Sequence, residues 1–321
     1  MHCLLCLSNS GGHIVPGLAF ADYLRRQGHG VTLAAYAGET SQKMLQNESD
    51  VIWLNSKKYG KETLGDLKKL ARAVRPLNAV VGFGGYIGLL GTIVGTWTQK
   101  KVFIFEANSV LGTANKISLP FTSRLFSYFP LKGKKINVIG SPAEDNFEAV
   151  TIRPQVRKVL LLAGSLGSKT LSPIYESLAA EFPQIEFTES VGTRGEKGRD
   201  RQNLRLLPLV ARSSYSSFDL VITRAGGTTV AELTKMGIPF IMIPSPYVKN
   251  DHQTKNAAAL KAATGAPVIE EKAATTERLK AEIASLLPRE ERQELHRKLQ
   301  AFKHDDVSKT ALALIETCLK K

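Results

Sequence analysis

Cysteine is scarce in this chain: three residues in 321, too few for a disulfide framework. Cys3 and Cys6 form a C-x-x-C, yet strand residues three apart point to opposite faces. They therefore read as small apolar packing rather than a redox or metal pair. Acidic side chains are also short in supply. Against 43 Lys and Arg stand 29 Asp and Glu, a formal charge of +14 at pH 7, and an excess of that sign calls for an anionic partner. No apolar run approaches the roughly 20 residues of a membrane span. The Leu4–Leu7 run lacks a basic lead-in and breaks at Ser8, so it reads as a strand rather than a signal peptide. A cytoplasmic protein is expected. There is no RNP-type aromatic motif, zinc-ligand spacing or evident recognition helix, so no nucleic acid is expected. An anionic membrane surface and phosphate-bearing molecules are the stronger candidates. D-x-D pairs and His/Cys clusters are missing too, so no metal and no cofactor is expected.

What is present is a repeated alternation. Short apolar runs at 2–7, 31–35, 51–54, 79–82, 102–105, 124–127 and 136–139 predict strands, with helices between them at 15–26, 63–74, 87–98 and 113–119. The pattern restarts with strands at 159–163, 185–188, 204–207, 220–223, 240–243 and 267–269. Helices are predicted from about 170 and at 228–236, 253–263, 276–286, 290–302 and 308–320. Such alternation predicts α/β domains with parallel sheets covered on both faces. Each half opens as strand, glycine turn, helix, so two Rossmann-like, doubly wound domains facing across a cleft are expected. The expected division is a first domain at 1–140, a linker at 141–156, a second domain at 157–305 and a C-terminal helix at 306–321 packing back toward the first domain. Two prolines and mixed charge mark the linker.

The most informative stretch is Thr223-Arg224-Ala225-Gly226-Gly227-Thr228-Thr229-Val230-Ala231-Glu232, followed by Asn250-Asp251-His252-Gln253-Thr254-Lys255-Asn256. Glycines between a strand and a helix start leave backbone N–H groups at the positive end of a helix dipole, which binds phosphate. Glu232 in the first helical turn offers a carboxylate to a ribose diol. The same residue also fits a capping box with Thr229 as N-cap. Arg224 and Lys249 are candidate helpers for a diphosphate leaving group, or ordinary surface charges.

Three further strand ends carry polar or glycine-rich residues. Gly11-Gly12-His13 would let an anion approach the backbone, with His13 either as a base for a sugar hydroxyl or as a capping or diphosphate contact. Gly82-Phe83-Gly84-Gly85-Tyr86 repeats the turn without completing G-x-G-x-x-G, and Glu106-Ala107-Asn108 ends on an amide that both donates and accepts. From Lys57 to Arg75 runs a basic amphipathic stretch with Leu64, Leu67, Leu70, Ala71 and Val74 at helical spacing. It reads either as a helix packed on a sheet or as a face for anionic lipid. Trp97, Lys100, Lys101 and 132–135 add to that surface.

In this order the motifs resemble the MurG-type glycosyltransferases of bacterial cell-wall synthesis. The resemblance runs through Gly11-Gly12-His13 with Pro16-Gly17-Leu18-Ala19, then Gly82 to Tyr86, Glu106-Ala107-Asn108 with Asn115-Lys116, Gly164-Ser165-Leu166-Gly167, Arg224 to Glu232 and Asp251 to Ala257. It implies a GT-B fold and an inverting transfer of N-acetylglucosamine (GlcNAc) from UDP-GlcNAc to the N-acetylmuramyl (MurNAc) 4-hydroxyl of a lipid-linked acceptor, lipid I, giving lipid II. It also implies a peripheral enzyme on the cytoplasmic face of the inner membrane, with cell-wall or division enzymes as further partners. Donor contacts are implied for Ser165, Arg224, Gly226, Gly227, Thr228, Glu232, His252, Gln253 and Asn108. Acceptor contacts are implied for Ser10, Gly11, Gly12, His13, Gly84, Gly85 and Tyr86, with His13 and Asn108 nearest the chemistry. Ser8-Asn9-Ser10 stands where the family carries Gly-Gly-Thr, Glu144 where it carries an arginine, and Ala163-Gly164-Ser165-Leu166-Gly167 where it carries G-G-S-Q-G. These departures leave two alternatives: another UDP-sugar enzyme of the same fold (a glycolipid synthase or an epimerase), or a nucleotide-sugar-binding scaffold of weakened activity.

Overall fold

The computed structural model describes residues 1–163, 167–192 and 202–321, apart from the side chain of Lys249. The chain divides into two compact units, Met1–Asn146 with His304–Lys321, and Phe147–Lys303. In the first, β1 (His2–Leu7), β2 (Gly30–Tyr36), β3 (Val51–Leu54), β4 (Ala79–Gly82), β5 (Lys101–Glu106), β6 (Arg124–Ser127) and β7 (Ile136–Val138) form one sheet. Its order is β3-β2-β1-β4-β5-β6-β7, with every pairing parallel. The helices are α1 (Gly11–Arg26), α2 (Glu39–Met44), α3 (Thr63–Val74), α4 (Gly85–Trp97) and α5 (Thr113–Ser118).

Strand alternation sorts the core into two layers. Cys3, Leu5 and Leu7 of β1 pack with Phe20, Phe83 and Phe105 on one face, while Leu4 and Cys6 pack with Leu70, Val74, Leu90 and Val94 on the other. The two cysteines thus lie on opposite faces, and burial pushes both thiols up to about 12. They are packing residues.

The second unit repeats the plan with β8 (Lys158–Leu162), β9 (Glu186–Ser190), β10 (Leu204–Leu207), β11 (Leu220–Thr223) and β12 (Phe240–Met242). The order is β10-β9-β8-β11-β12, again parallel throughout. Its helices are α6 (Ser172–Glu181), α7 (Gly227–Met236), α8 (His252–Thr264), α9 (Thr276–Ser285) and α10 (Arg289–Phe302). The strand expected at 267–269 is reduced to a single bridge between Met242 and Val268. The other expected strands are present. Two helices begin earlier than apolar periodicity indicates, α1 at Gly11 and α4 at Gly85. Glycine weakens the helical signal, yet first-turn N–H groups need no partner four residues back. The short α2, with only Ser41 buried, carries no apolar stripe and gives no signal.

The last helix, α11 (Val307–Leu319), belongs to the first unit, where Ala311, Leu312 and Ile315 enter the α1 side of the core. Its own N-cap, Asp306, is left-handed and makes no side-chain cap. Asp145 supplies the cap instead, its carboxylate accepting from Val307 N at 3.0 Å and Ser308 N at 2.8 Å. Beside it, Glu144 is fully buried and accepts from Ser141 N at 2.6 Å and His304 N at 3.2 Å. Burial raises its pKa, against the hydrogen bonds from His304 and Ser141. The acid found where the family pattern has an arginine is therefore a clamp inside the first unit. Residues 141–146, expected to begin a linker, fold there with it. Asp145→Ala is expected to lower stability by about 1–2 kcal/mol, the value of a lost N-cap. Urea denaturation of the full chain measures this, and an unchanged midpoint would remove Asp145 from the docking of α11.

Candidate active site

In the first sheet the strand order reverses between β1 and β4, so the loops leaving these strands diverge to opposite faces and open a crevice at their C-terminal ends. Ser10, extended, precedes the first turn of α1, which contains Gly11, Gly12 and His13. Ser10 Oγ and His13 Nδ1 share a hydrogen bond of 2.8 Å. Across the crevice Gly84 (φ 83°) and Gly85 (φ 65°) are left-handed. A Cβ on Gly84 would stand 3.1 Å from His13 Nε2, and one on Gly85 only 2.1 Å from Ser8 Oγ. Both positions need glycine for backbone conformation and for space. Ser8 Oγ donates to Gly84 O at 2.9 Å. The serine standing where the family carries glycine thus bridges the two loops. Ser10, Gly11, Gly12, His13, Gly84 and Gly85 come together here. Tyr86 follows in α4 and shares a 2.9 Å hydrogen bond with Thr63 Oγ1.

The loop after β5 is organised by Glu106. Its Oε1 accepts from Asn108 N and Nδ2 at 3.1 and 2.9 Å, and its Oε2 from Gly112 N and Asn115 Nδ2 at 2.8 and 3.0 Å. Asn108 is therefore held in place by the buried carboxylate two residues before it. Asn115 also donates to Phe105 O at 3.0 Å. These partners were not legible from the motif alone, because a buried acid and a ligand-facing acid look alike in sequence.

The second sheet reverses between β8 and β11. Part of the turn after β8, Ser165 included, and the Lys249 side chain lie outside the described residues. After β11, Gly226 is the extended N-cap and α7 starts at Gly227. This corrects the placing of Glu232 in the first turn and excludes the capping box. Thr229 sits inside the helix, and Glu232 lies in its second turn. Glu232 is fully buried, and its Oε1 accepts from Arg212 Nη1 at 2.7 Å. Burial, with the Glu232 charge adding to it and Arg212 opposing, pushes the Tyr215 hydroxyl up to about 12. No spacing rule relates Arg212 to Glu232, so the pair was missed. Gly226 has an ordinary φ of −70°, and among the described residues a Cβ there would meet nothing within 4 Å. Neither backbone nor packing demands glycine at this position. What glycine does is leave open space at the residue before α7, whose own first residue, Gly227, is buried. Thr228, in the first turn, is buried.

Arg224, which the sequence offered as a surface charge or a phosphate helper, has a side chain only 11% exposed. Its guanidinium is engaged with Glu271, Ser168 and the Ile243 carbonyl. Asn256, fully buried, donates to Ala225 O at 3.0 Å and so ties α8 to the β11 loop. Ahead of α8, Asn250 (φ 60°) and Asp251 (φ 50°) are both left-handed, a conformation that costs about 1 kcal/mol or more per non-glycine residue. The turn they make places His252 and Gln253 in the first turn of α8, where Gln253 Oε1 accepts from Ser245 N at 2.8 Å. Arg224, Gly226, Gly227, Thr228 and Asn256 thus belong to one edge of the sheet, with Gln253 fastened to the segment after β12.

Among the described residues no group of His, Cys, Asp and Glu is arranged to hold a metal ion, and no helix is long and apolar enough to cross a membrane. On α3, Leu70 and Val74 are buried as the helical stripe requires, but Leu64 is 60% exposed. Tyr59 and Trp97 are exposed as well. Lys68, Lys69 and Arg72 line a shallow cavity beside Ile52.

Comparison with known proteins agrees with this fold. Residues 5–127 match the glycosyltransferase family 28 N-terminal domain and residues 158–311 its C-terminal domain. A UDP-N-acetylglucosamine--N-acetylmuramyl-(pentapeptide) pyrophosphoryl-undecaprenol N-acetylglucosamine transferase of Dechloromonas aromatica is 30% identical, over 82% of this chain and 84% of that protein. The protein of the same description from Nitrosospira multiformis is 28% identical over 99% and 98%. The crystal structure of Acinetobacter baumannii MurG superposes with a TM-score of 0.80 at 22% identity, covering 99% of this chain and all of that one, which establishes the GT-B fold. The chain belongs to glycosyltransferase family 28, among the MurG-type N-acetylglucosaminyltransferases.

Proposed function

We propose that this enzyme transfers GlcNAc from UDP-GlcNAc to the MurNAc 4-hydroxyl of a lipid-linked pyrophosphoryl acceptor. The observation that carries the donor half is the helix start of α7 behind Gly226, where an added Cβ would meet no described atom within 4 Å, with the buried carboxylate of Glu232 in the second turn. Backbone N–H groups at a helix start neutralise a diphosphate without a metal, and a carboxylate suits a ribose diol. The printed names of the relatives, which specify this donor and a pyrophosphoryl-undecaprenol acceptor, support the same reading.

The first unit takes the acceptor. Its pyrophosphate meets the helix starts at Gly11–Gly12 and Gly85, with Ser10 and Tyr86 at the edge. The MurNAc hydroxyl attacks the anomeric carbon, the bond from that carbon to the diphosphate oxygen breaks, and configuration inverts. His13, fixed through Nδ1 by Ser10, takes the hydroxyl proton on Nε2. In the first unit Asn108, held by Glu106, serves as a sugar contact; in the second, His252 and Gln253 contact the donor, and Ser165 and Thr228 its diphosphate. The charge of +14, the exposed Leu64, Tyr59 and Trp97 and the basic α3 residues Lys68, Lys69 and Arg72 fit a peripheral position on an anionic cytoplasmic membrane face.

Incubation with radiolabelled UDP-GlcNAc and a lipid I analogue is expected to label the lipid. Folded protein that labels nothing contradicts the proposal, and a converted nucleotide sugar formed without acceptor indicates an epimerase. Gly226→Ala isolates the donor contact. Because no described atom lies within 4 Å of the added methyl, the loss of stability should be limited to the N-cap preference for glycine over alanine, about 1 kcal/mol. Donor affinity measured by calorimetry should fall about tenfold or more, because the methyl stands before the helix start. Unchanged affinity would take the diphosphate away from α7.

A further inference from the structure

Arg224 leaves β11 at the C-terminal edge of the second sheet, where an arginine is naturally taken for a phosphate ligand. A guanidinium has five N–H donors, and four of these are engaged within the unit. Nη1 donates to Ile243 O at 3.1 Å and Glu271 Oε2 at 3.0 Å; Nη2 donates to Ser168 Oγ and Glu271 Oε1, both at 3.0 Å. Arginine and carboxylate therefore meet fork to fork, with side chains only 11% and 10% exposed. The acceptors come from different segments of the same edge: Ser168 follows β8, Ile243 follows β12, and Glu271 follows α8. Glu271 Oε1 also accepts from Thr170 Oγ1 at 2.7 Å, so the carboxylate reaches back to the β8 segment. Burial works to raise the Glu271 carboxyl, but the hydrogen bonds from Arg224 and Thr170 outweigh it and hold it below its ordinary range.

We propose that Arg224 and Glu271 are a positioning pair, not a phosphate ligand and its neighbour. Their fork fixes the segments after β8, β11 and β12 at the spacing in which the start of α7 meets the nucleotide sugar. The proposal rests on reading this unit as the UDP-GlcNAc site. It has a consequence of opposite sign to direct contact. If Arg224 bound the diphosphate, Glu271 would be a competing anion, and neutralising it would leave donor affinity unchanged or tighten it. If the pair is a strut, neutralising Glu271 loosens the site.

The experiment is calorimetric titration of the full chain with UDP-GlcNAc, together with transfer kinetics and thermal melting. Glu271→Gln is expected to weaken donor binding about tenfold and to raise the donor KM with the acceptor KM unchanged. Arg224→Lys keeps the charge and loses the fork, so it should weaken binding to a similar degree. The double variant should be no weaker than the worse single one, since both break one interaction. Ser168→Ala removes one acceptor with little risk to folding, so it keeps the test decisive if Glu271→Gln does not fold. A several-fold loss of donor affinity is expected from it. Tighter or unchanged binding in Glu271→Gln, near-normal binding in Arg224→Lys, additive losses in the double variant, or unaltered binding in Ser168→Ala would each overturn the proposal. Wild-type protein that fails to bind UDP-GlcNAc would overturn the donor-site reading itself, and the proposal with it.

Discussion

A parallel sheet whose strand order reverses at its centre cannot cover the C-terminal ends of its two middle strands. The loops leave for opposite faces, and the helices they feed begin beside an open crevice. Both units of this chain are built on that constraint, at β1/β4 and at β8/β11. The three helix starts that the proposed chemistry uses, at Gly11, Gly85 and Gly227, stand at those reversals. Their glycines do different work. Gly84 and Gly85 are required by left-handed backbone and by the closeness of His13 and Ser8. Gly226 is required by neither and serves by having no side chain before the helix.

Behind each rim lie buried or part-buried polar side chains held by specific partners. Glu106 holds the 108–115 loop, Arg212 pairs with Glu232, Arg224 pairs with Glu271, and Asn256 anchors the β11 loop. A charge buried this way is tolerable only with a partner, so each pair fixes the segments that carry it. The rim can then present backbone amides in a fixed arrangement, the condition for binding a diphosphate without reorganisation.

Much of this was legible in the sequence. Apolar runs located the strands because a doubly covered parallel strand is apolar almost throughout, as Leu4 to Leu7 and Leu220 to Ile222 illustrate. The glycine motifs located the rims. What stayed hidden was pairing at long range. Thr229 and Glu232 have capping-box spacing, yet the helix starts at Gly227, since packing on the sheet overrides a local cap signal. Arg224 looked available because its partner lies 47 residues onward. Glu144 showed in sequence only as an acid in the place of an arginine; that it is a buried acceptor for the backbone of His304 depends on a residue 160 positions onward. Composition counts charges and motifs space them, but neither says which ones the fold encloses.

The central claim is that the start of α7 is the diphosphate site, with Glu232 beside the ribose. A crystal structure of the full chain with UDP-GlcNAc tests it most directly. The account predicts diphosphate oxygens within hydrogen-bond distance of the backbone N–H groups that follow Gly226, and a ribose hydroxyl on the Glu232 carboxylate. It further predicts that the Arg224 fork stays closed on Glu271. A nucleotide bound elsewhere, or Arg224 released from Glu271 onto the phosphates, would contradict it.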